Sequence, residues 1–198
     1  MRIGIDLDGV VFYSEAAFRT YEEIFAIEEL AGSPIIDREE PKFQARYNWT
    51  NEQEQAFIDQ YFSIISKQES TLMPGFKAVY QRLKALGVEF VVITARGMFV
   101  PEMKEDSIHI FEQNGITFDK TYWMVEDKLE ICQKENVDFM IDDDWKIIQR
   151  LADNNIHTLY FRDTNLRKIE GNPMVQEVNN WGDIYRIIYG KLTETREA

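Results

Sequence analysis

Short apolar runs alternate with amphipathic segments along most of the chain, and this alternation predicts strands followed by helices. The run at 88–93 is nearly continuous and rich in β-branched residues, which is typical of a parallel strand buried on both faces. Shorter runs predict further strands at 2–6, 122–125, 137–141 and 156–161. The pattern therefore indicates an α/β fold.

Helical spacing occurs in two blocks. In the first block, Phe18 and Tyr21 begin an apolar stripe that predicts a helix from Ser14 onward, and Thr50 with Gln53 has the spacing of a capping box that opens a second helix. The second block begins after residue 73. It predicts a helix from Pro74 to Gly87, followed by helices at about 102–114, 128–135, 145–154 and 173–189.

The order of these elements predicts a doubly wound parallel sheet of the Rossmann-like type. We expect the catalytic core to comprise residues 1–13 and 73–198. Residues 14–72, between the first strand and the helix at Pro74, are expected to form a small inserted helical cap.

Composition and charge restrict the class of protein. The 198 residues are 44% hydrophobic and 13% aromatic, as expected for a folded chain, with disorder expected only at 193–198. Twenty-two basic and thirty-five acidic residues give a formal net charge of -13, which disfavours binding to a nucleic acid polyanion. A local basic groove from Arg162, Arg167 and Lys168 is the alternative that would permit nucleic-acid end repair.

The expected environment is the cytoplasm. The single Cys132 forms no internal disulfide, the first residues do not read as a secretory signal, and no run approaches the roughly 18 apolar residues of a membrane span. We expect a soluble monomer or homodimer that does not contact a membrane.

Reactive side chains follow the predicted strands. Asp6 and Asp8 follow the first strand, Thr94 follows the strand at 88–93, Asp142 follows the strand at 137–141, and Lys128 opens the intervening helix. In parallel sheets these strand ends meet at one edge. Clustered carboxylates repel each other unless a cation compensates them, and Mg²⁺ prefers such oxygen ligands. The sequence therefore predicts a site that binds Mg²⁺ together with a phosphoryl group.

Asp6 and Asp8 suit two consecutive roles in this chemistry. Attack by the Asp6 carboxylate on phosphorus gives an acyl phosphate that water can later cleave, which divides a difficult step into two. Asp8, two residues on, can protonate the leaving oxygen and then activate that water.

The four elements in this order resemble the haloacid dehalogenase superfamily of phosphohydrolases across nearly the whole chain. The segment 6–10 resembles its first motif, Thr94 its second, Lys128 its third and Asp142 with Asp143 its fourth. The resemblance implies that Asp6 is the nucleophile and Asp8 the general acid and base. It also implies phosphate contacts from Thr94, Ala95 and Lys128, Mg²⁺ ligands from Asp6, the Asp8 carbonyl and Asp142, and a role for Asp143 in holding a metal-bound water or orienting Lys128.

Within the superfamily, the chain is most similar to the 5′(3′)-deoxyribonucleotidases and related bacterial nucleotidases. This similarity implies a nucleoside monophosphate as the small phosphorylated substrate. The sequence departs from that group after the second motif, where Ala95 and Arg96 follow Thr94, and before Lys128, where Glu126 stands. A sugar-phosphate phosphatase or phosphomutase, or a non-catalytic phosphate-binding protein of the same fold, is the alternative.

Several candidates have a second interpretation. Phe43, Tyr47 and Trp49 are expected in a loop between the cap helices, where they either stack on a base or pack the cap. Arg96 either reaches a phosphate or sugar or makes a surface ion pair. The acidic run at 142–144 also suits a helix N-terminus, with Asp144 the expected capping residue. Lys120 and Lys134 compete with Lys128 for the lysine position.

Overall fold

A six-stranded parallel sheet with strand order β3-β2-β1-β4-β5-β6 forms the centre of the molecule. The structure is a computed structural model that describes residues 1–163 and 165–197. Its strands are β1 (Arg2–Ile5), β2 (Glu89–Ile93), β3 (Lys120–Tyr122), β4 (Phe139–Asp142), β5 (Thr158–Phe161) and β6 (Val175–Val178). The predicted α/β class with a doubly wound parallel sheet is confirmed.

The described residues form eight α-helices. Three lie between β1 and β2 in the inserted segment, namely α1 (Glu15–Glu28), α2 (Phe43–Tyr47) and α3 (Asn51–Ile64), and the π-helical turn Ile65–Glu69 extends α3. The others are α4 (Phe76–Ala85), α5 (Glu102–Asn114), α6 (Lys128–Glu135), α7 (Trp145–Asp153) and α8 (Trp181–Glu197).

Alternating side chains of the sheet fill two hydrophobic layers. In β2, Phe90 and Val92 join the layer that contains residues of α4, α5 and α8, whereas Val91 and Ile93 join the layer beneath α6 and α7. Both layers exclude water, which explains the continuous apolar run of this strand. Trp181 is fully buried at the start of α8, where its indole Nε1 donates to the Val10 carbonyl at 2.9 Å.

The helical insertion (residues 14–72) has a hydrophobic cluster of its own. Phe25, Trp49, Phe57 and Phe62 are its largest members, and Met103 from α5 packs against them. Two neighbouring chain crossings connect the insertion to the core. Their backbones are joined by the Tyr13 amide to the Thr71 carbonyl at 2.8 Å and by the Met73 amide to the Val11 carbonyl at 2.7 Å.

One predicted strand lies at a different position, and one strand was not predicted. The strand predicted at 122–125 lies instead at Lys120–Tyr122, and the left-handed conformation of Met124 (φ 59°) prevents its continuation. Strand β6 was missed because half of its four residues, Gln176 and Glu177, are polar and the segment was included in the final helix. That helix was predicted at 173–189 but begins at Trp181 and continues to Glu197.

Two segments that were predicted to be non-helical lie in helices. Phe43 and Tyr47 were predicted in a loop but are the first and last residues of the short helix α2. This helix ends where Asn48 adopts a left-handed conformation (φ 56°). The segment 193–197, expected to be disordered, belongs to α8, and Ala198 lies outside the described residues. Across residues 1–163 and 165–197, no helix combines the length and apolar character needed to cross a membrane.

Candidate active site

The central strands bring two predicted carboxylates together. Asp6 directly follows β1 and Asp142 ends the adjacent β4, and the Asp6 amide donates to the Ile141 carbonyl at 3.0 Å, extending the ladder between them. The strand order changes direction at this pair, because β2 follows β1 on one side and β4 lies on the other. Ligands of open parallel sheets bind at such a point, beyond the carboxyl ends of the strands.

Lys128, the first residue of α6, lies between these two carboxylates. Its Nζ is 2.6 Å from Asp142 Oδ2 and 3.0 Å from Asp6 Oδ1, and its side chain is 4% exposed. Burial alone would lower the pKa of Lys128, but the two carboxylates outweigh that effect and raise it. Lys128 is therefore a fixed positive charge beside Asp6.

Asp143 completes a group of three carboxylates. Oxygen atoms of Asp6, Asp142 and Asp143 lie within 4.8 Å of one another. Gly9 (φ 69°) passes so close to Asp143 that a Cβ atom at this position would overlap its carboxylate. Asn165 holds the residue from the other side, where its Nδ2 donates to the Asp143 carbonyl at 2.9 Å.

This donor set fits a hard divalent cation. Asp6 Oδ1 is buried and has no well-directed hydrogen-bond donor among the described residues, although Lys128 lies 3.0 Å away. Three carboxylates with one lysine leave excess negative charge, and Mg²⁺ prefers oxygen ligands of this kind. Asp6, Asp142 and Asp143 are therefore the residues suited to hold it. Asp143 was expected to hold a metal-bound water or to orient Lys128. The ion pairs of Lys128 are to Asp6 and Asp142, and the water-holding role of Asp143 stays a prediction.

Burial and the neighbouring carboxylates raise the pKa values of Asp142 and Asp143. Burial raises the pKa of Asp142 to about 7, against the opposing effect of Lys128. Burial and the neighbouring Glu15, Asp142 and Asp6 raise the pKa of Asp143 well above its usual range. A bound cation would favour the ionised form of both side chains.

Asp8 lies at the edge of this group and is held by two donors. Ser14 Oγ donates to Asp8 Oδ1 at 2.6 Å, and Arg96 Nη1 forms an ion pair with the same oxygen. The Arg96 side chain is fully buried, so the expected surface ion pair was wrong. Its Nε, Nη1 and Nη2 groups donate to Ser107, Asp8 and Ser70. Arg96 also lines the cavity beside this group, and its contact with a phosphate or sugar stays a prediction.

Thr94 and Ala95 continue β2 into the loop beside the site. The Thr94 amide donates to the Tyr122 carbonyl at 3.0 Å, and Thr94 Oγ1 accepts from the Arg96 amide at 3.2 Å. Thr94 is 1% exposed, whereas Ala95 lines the cavity above Asp6. These bonds fix the loop that carries Thr94 and Ala95, whose phosphate contacts, implied by the family resemblance, stay a prediction.

A cavity of about 770 Å³ lies between the strand ends and the helical insertion. Asp6, Asp8, Lys128 and Asp142 line its base, and aromatic residues of the insertion line part of its wall. On the far side, the Trp145 indole donates to the Glu39 carbonyl at 3.0 Å, and Lys146 forms an ion pair with Glu40 at 2.6 Å. The insertion therefore contacts the core on both sides of the cavity.

The three aromatic candidates for base stacking occupy different places. Phe43 lines the cavity while packing against Phe57 at 5.1 Å between ring centroids. Tyr47 and Trp49 are 3% and 4% exposed, stack on each other at 4.8 Å, and do not line the cavity. The predicted stacking of a substrate on Tyr47 or Trp49 is therefore wrong, and both residues instead pack inside the insertion.

The remaining charged candidates have structural contacts elsewhere. Asp144 caps α7, since its Oδ1 accepts from the Lys146 amide at 2.8 Å, as predicted. Lys120 pairs with Glu135 at 2.7 Å, and Lys134 lies over the Tyr122 ring at 5.6 Å. Arg162 pairs with Glu177 and Arg167 with Glu39, both at 3.0 Å. These contacts leave Lys128 as the lysine placed beside Asp6.

Comparison with known proteins gives a structural result. No protein-family model matches the chain, and the search of curated proteins finds no match. Solved structures do match. A haloacid dehalogenase-like hydrolase from Streptococcus pneumoniae is 14% identical, with a TM-score of 0.63, over 94% of this chain and 97% of that chain.

Two further structures indicate the range of activities named for similar folds. A predicted phosphoglycolate phosphatase from Haemophilus somnus is 15% identical, with a TM-score of 0.64, over 94% of this chain and 96% of that chain. A candidate β-phosphoglucomutase from Thermotoga maritima is 12% identical, with a TM-score of 0.59, over 96% of this chain and 98% of that chain. The chain thus has the fold of the haloacid dehalogenase-like hydrolases.

Proposed function

We propose that the protein is a Mg²⁺-dependent phosphatase that cleaves a small phosphomonoester through a phosphorylated Asp6. The observation that carries the proposal is the position of Lys128, 3.0 Å from the Asp6 carboxylate and 2.6 Å from Asp142, at the switch point of the sheet. A lone carboxylate would repel a phosphate, but here the buried Lys128 cation lies beside the Asp6 carboxylate.

The proposed reaction has two steps. The Asp6 carboxylate attacks phosphorus and the ester P–O bond breaks, while Asp8 gives a proton to the leaving oxygen. Water then attacks the phosphorylated Asp6, and Asp8 accepts a proton from that water. Lys128 neutralises part of the phosphoryl charge throughout, and the loop at Thr94 and Ala95 holds the phosphoryl oxygens.

Mg²⁺, bound by the carboxylates of Asp6, Asp142 and Asp143, would supply further positive charge next to the transferring group. The helical insertion would exclude bulk water from the cavity while the phosphoryl group is transferred. Its two-sided contact with the core supports this cap role for residues 14–72.

For the substrate, we propose a nucleoside monophosphate. The cavity of about 770 Å³ is within the usual range for a ligand of this size. Phe18, Phe43, Phe62 and Phe99 line it and offer ring faces and edges for a base. A sugar phosphate is the second candidate, because Glu15 and Glu54 also line the cavity and can accept hydrogen bonds from hydroxyl groups.

A phosphate-release screen tests both levels of the proposal. The panel contains nucleoside 5′- and 3′-monophosphates, sugar phosphates and p-nitrophenyl phosphate, with Mg²⁺ or with a chelator. We expect Mg²⁺-dependent release that Asp6→Asn abolishes. Highest turnover on sugar phosphates would replace the nucleotide by the second candidate, isomerisation without release would indicate a mutase, and full activity of Asp6→Asn would refute the assigned nucleophile.

A further inference from the structure

A buried arginine connects the proposed general acid to three other parts of the chain. The Arg96 side chain is fully buried, whereas the Asp8 side chain with which it pairs is 28% exposed. Arg96 Nε donates to Ser107 Oγ in α5 at 2.8 Å, and Nη2 donates to Ser70 Oγ at 3.3 Å. The guanidinium also lies over the Phe12 ring, 4.6 Å from its centroid. Each of its nitrogen groups therefore has a partner, which fixes its orientation.

The contacts of Asp8 are divided unequally between its two oxygens. Ser14 Oγ and Arg96 Nη1 both donate to Oδ1. Neither donor uses Oδ2, and Asp8 lines the cavity above Asp6. A carboxyl group held through one oxygen presents the other to the cavity in a defined direction, which proton transfer in the transition state requires.

We propose that Arg96 is the positioning residue for acid–base chemistry at Asp8. This inference rests on the proposed phosphatase function and deepens it. Asp8, protonated on Oδ2, gives that proton to the ester oxygen as the P–O bond breaks. It then takes a proton from the water whose oxygen attacks phosphorus on Asp6. Arg96 also lines the cavity, but because each of its nitrogen groups already has a partner, its role is to orient Asp8, and it exchanges no proton.

The positions of the two serines extend the role to the helical insertion. Ser14 and Ser70 lie at its two chain crossings, which are joined by the bond from the Tyr13 amide to the Thr71 carbonyl. Ser14 contacts Asp8 directly, and Ser70 contacts Asp8 through Arg96. The orientation of Asp8 is therefore linked to the junction between the insertion and the core.

Leaving-group dependence distinguishes positioning of an acid from a general structural role. An alkyl phosphate needs a proton on its leaving oxygen, whereas p-nitrophenolate departs without one. We expect Arg96→Met to lower kcat at least about 100-fold for the alkyl phosphate with the highest turnover in the screen, and less than about tenfold for p-nitrophenyl phosphate.

A second variant and a control allow the proposal to be tested even where Arg96→Met folds poorly. Ser107→Ala removes one anchor of Arg96, and we expect the same selective loss at about tenfold or less. Arg82→Met removes an exposed arginine of α4 that donates to the Ala78 carbonyl, and it should leave both turnovers unchanged.

The outcomes separate the two levels of the proposal. Equal losses on both esters in Arg96→Met and Ser107→Ala, with the wild type active, would overturn the role of Arg96 and leave the phosphatase proposal intact. A wild type that hydrolyses neither ester would overturn the phosphatase proposal, and the inference with it.

Discussion

Gly9 and Asp143 are far apart in the sequence but lie in close contact in the structure. The left-handed backbone of Gly9 lets the loop after β1 pass beside the Asp143 carboxylate, where a Cβ atom has no room. Asp143 in turn belongs to the carboxylate group with Asp6 and Asp142. The geometry of the proposed metal site therefore depends on a residue that has no side chain.

Gly9→Ala should displace Asp143 and lower phosphatase activity at least about tenfold, since residues that orient metal ligands typically have effects of about 10- to 100-fold. The Mg²⁺ concentration for half-maximal activity should rise. Gly115→Ala is the matched control, because Gly115 has a similar φ of 65° but nothing lies near its added Cβ.

Both substitutions carry the backbone strain of a left-handed residue, about 1 to 2 kcal/mol. Gly9→Ala adds the overlap with Asp143, so its melting temperature should fall at least as far as that of Gly115→Ala. Only Gly9→Ala should lose phosphatase activity beyond the loss that reduced stability causes. An equal activity for the two variants would show that the approach of Gly9 to Asp143 has no part in the reaction.

The residues that sequence could predict are those whose chemistry is unusual at a strand end. Asp6, Asp142 and Lys128 fall together because parallel strands end at one edge. Ser14 and Asn165 were not predicted as site residues, because a serine or asparagine in a connecting segment carries no signal of which distant carboxylate it contacts. The burial of Arg96 was missed for the same reason, since Ser70 and Ser107 come from separate elements.

At the scale of elements, prediction succeeded where burial is symmetrical or a local motif is complete. Strand β2 is buried on both faces and reads as an apolar run, and α3 begins with the predicted capping box between Thr50 and Gln53. Strand β6 is at the sheet edge and pairs through its backbone with β5. Such pairing leaves little trace in a four-residue sequence with two polar positions.

Helix α1 contains a buried ion pair that makes a prediction about pH. Glu22 is 2% exposed and pairs with the buried Arg46 of α2. Burial raises the pKa of Glu22 from 4.5 to about 7, even though Arg46 lowers it. A carboxyl whose pKa is higher in the folded state binds its proton more tightly there, so the stability it contributes is lost as pH rises through that interval.

Between pH 4.5 and 7, the wild type should therefore lose on the order of 3 kcal/mol more free energy of unfolding than Glu22→Gln, which cannot ionise. Urea unfolding at several pH values measures this difference. Glu28→Gln, on the exposed part of α1, should follow the wild type. Parallel pH curves for the wild type and Glu22→Gln would contradict the raised pKa.

At the scale of the whole molecule, two hydrophobic units meet across one cavity. The insertion has its own aromatic cluster and is held to the core by two chain crossings and by contacts around Glu39 and Glu40. Exposed ion pairs such as the one between Arg167 and Glu39 contribute at most about 1 kcal/mol. The insertion is therefore attached less strongly than the sheet is held together.

Hydrogen exchange should show this difference directly. Amides of α1 and α3 should open with a lower free energy than those of β1, β2 and β4, because the insertion can separate without unfolding the sheet. Glu40→Gln, which loses the ion pair with Lys146, should lower the opening free energy of the insertion and leave that of the sheet unchanged. Identical opening free energies for all five elements would contradict the two-unit description.

The central claim is that Asp6 becomes phosphorylated, and rapid acid quenching followed by mass spectrometry of the peptide that contains Asp6 tests it most directly. With Mg²⁺ and the best substrate of the screen, the wild type should carry one phosphoryl group on Asp6 within the first turnover. Asp6→Asn should carry none, and Asp8→Asn should accumulate the phosphorylated form with p-nitrophenyl phosphate, whose leaving group needs no acid, because the later attack by water has lost its base. Turnover in the wild type with no phosphorylated Asp6 at any quench time, or equal labelling of Asp6→Asn, would contradict the account.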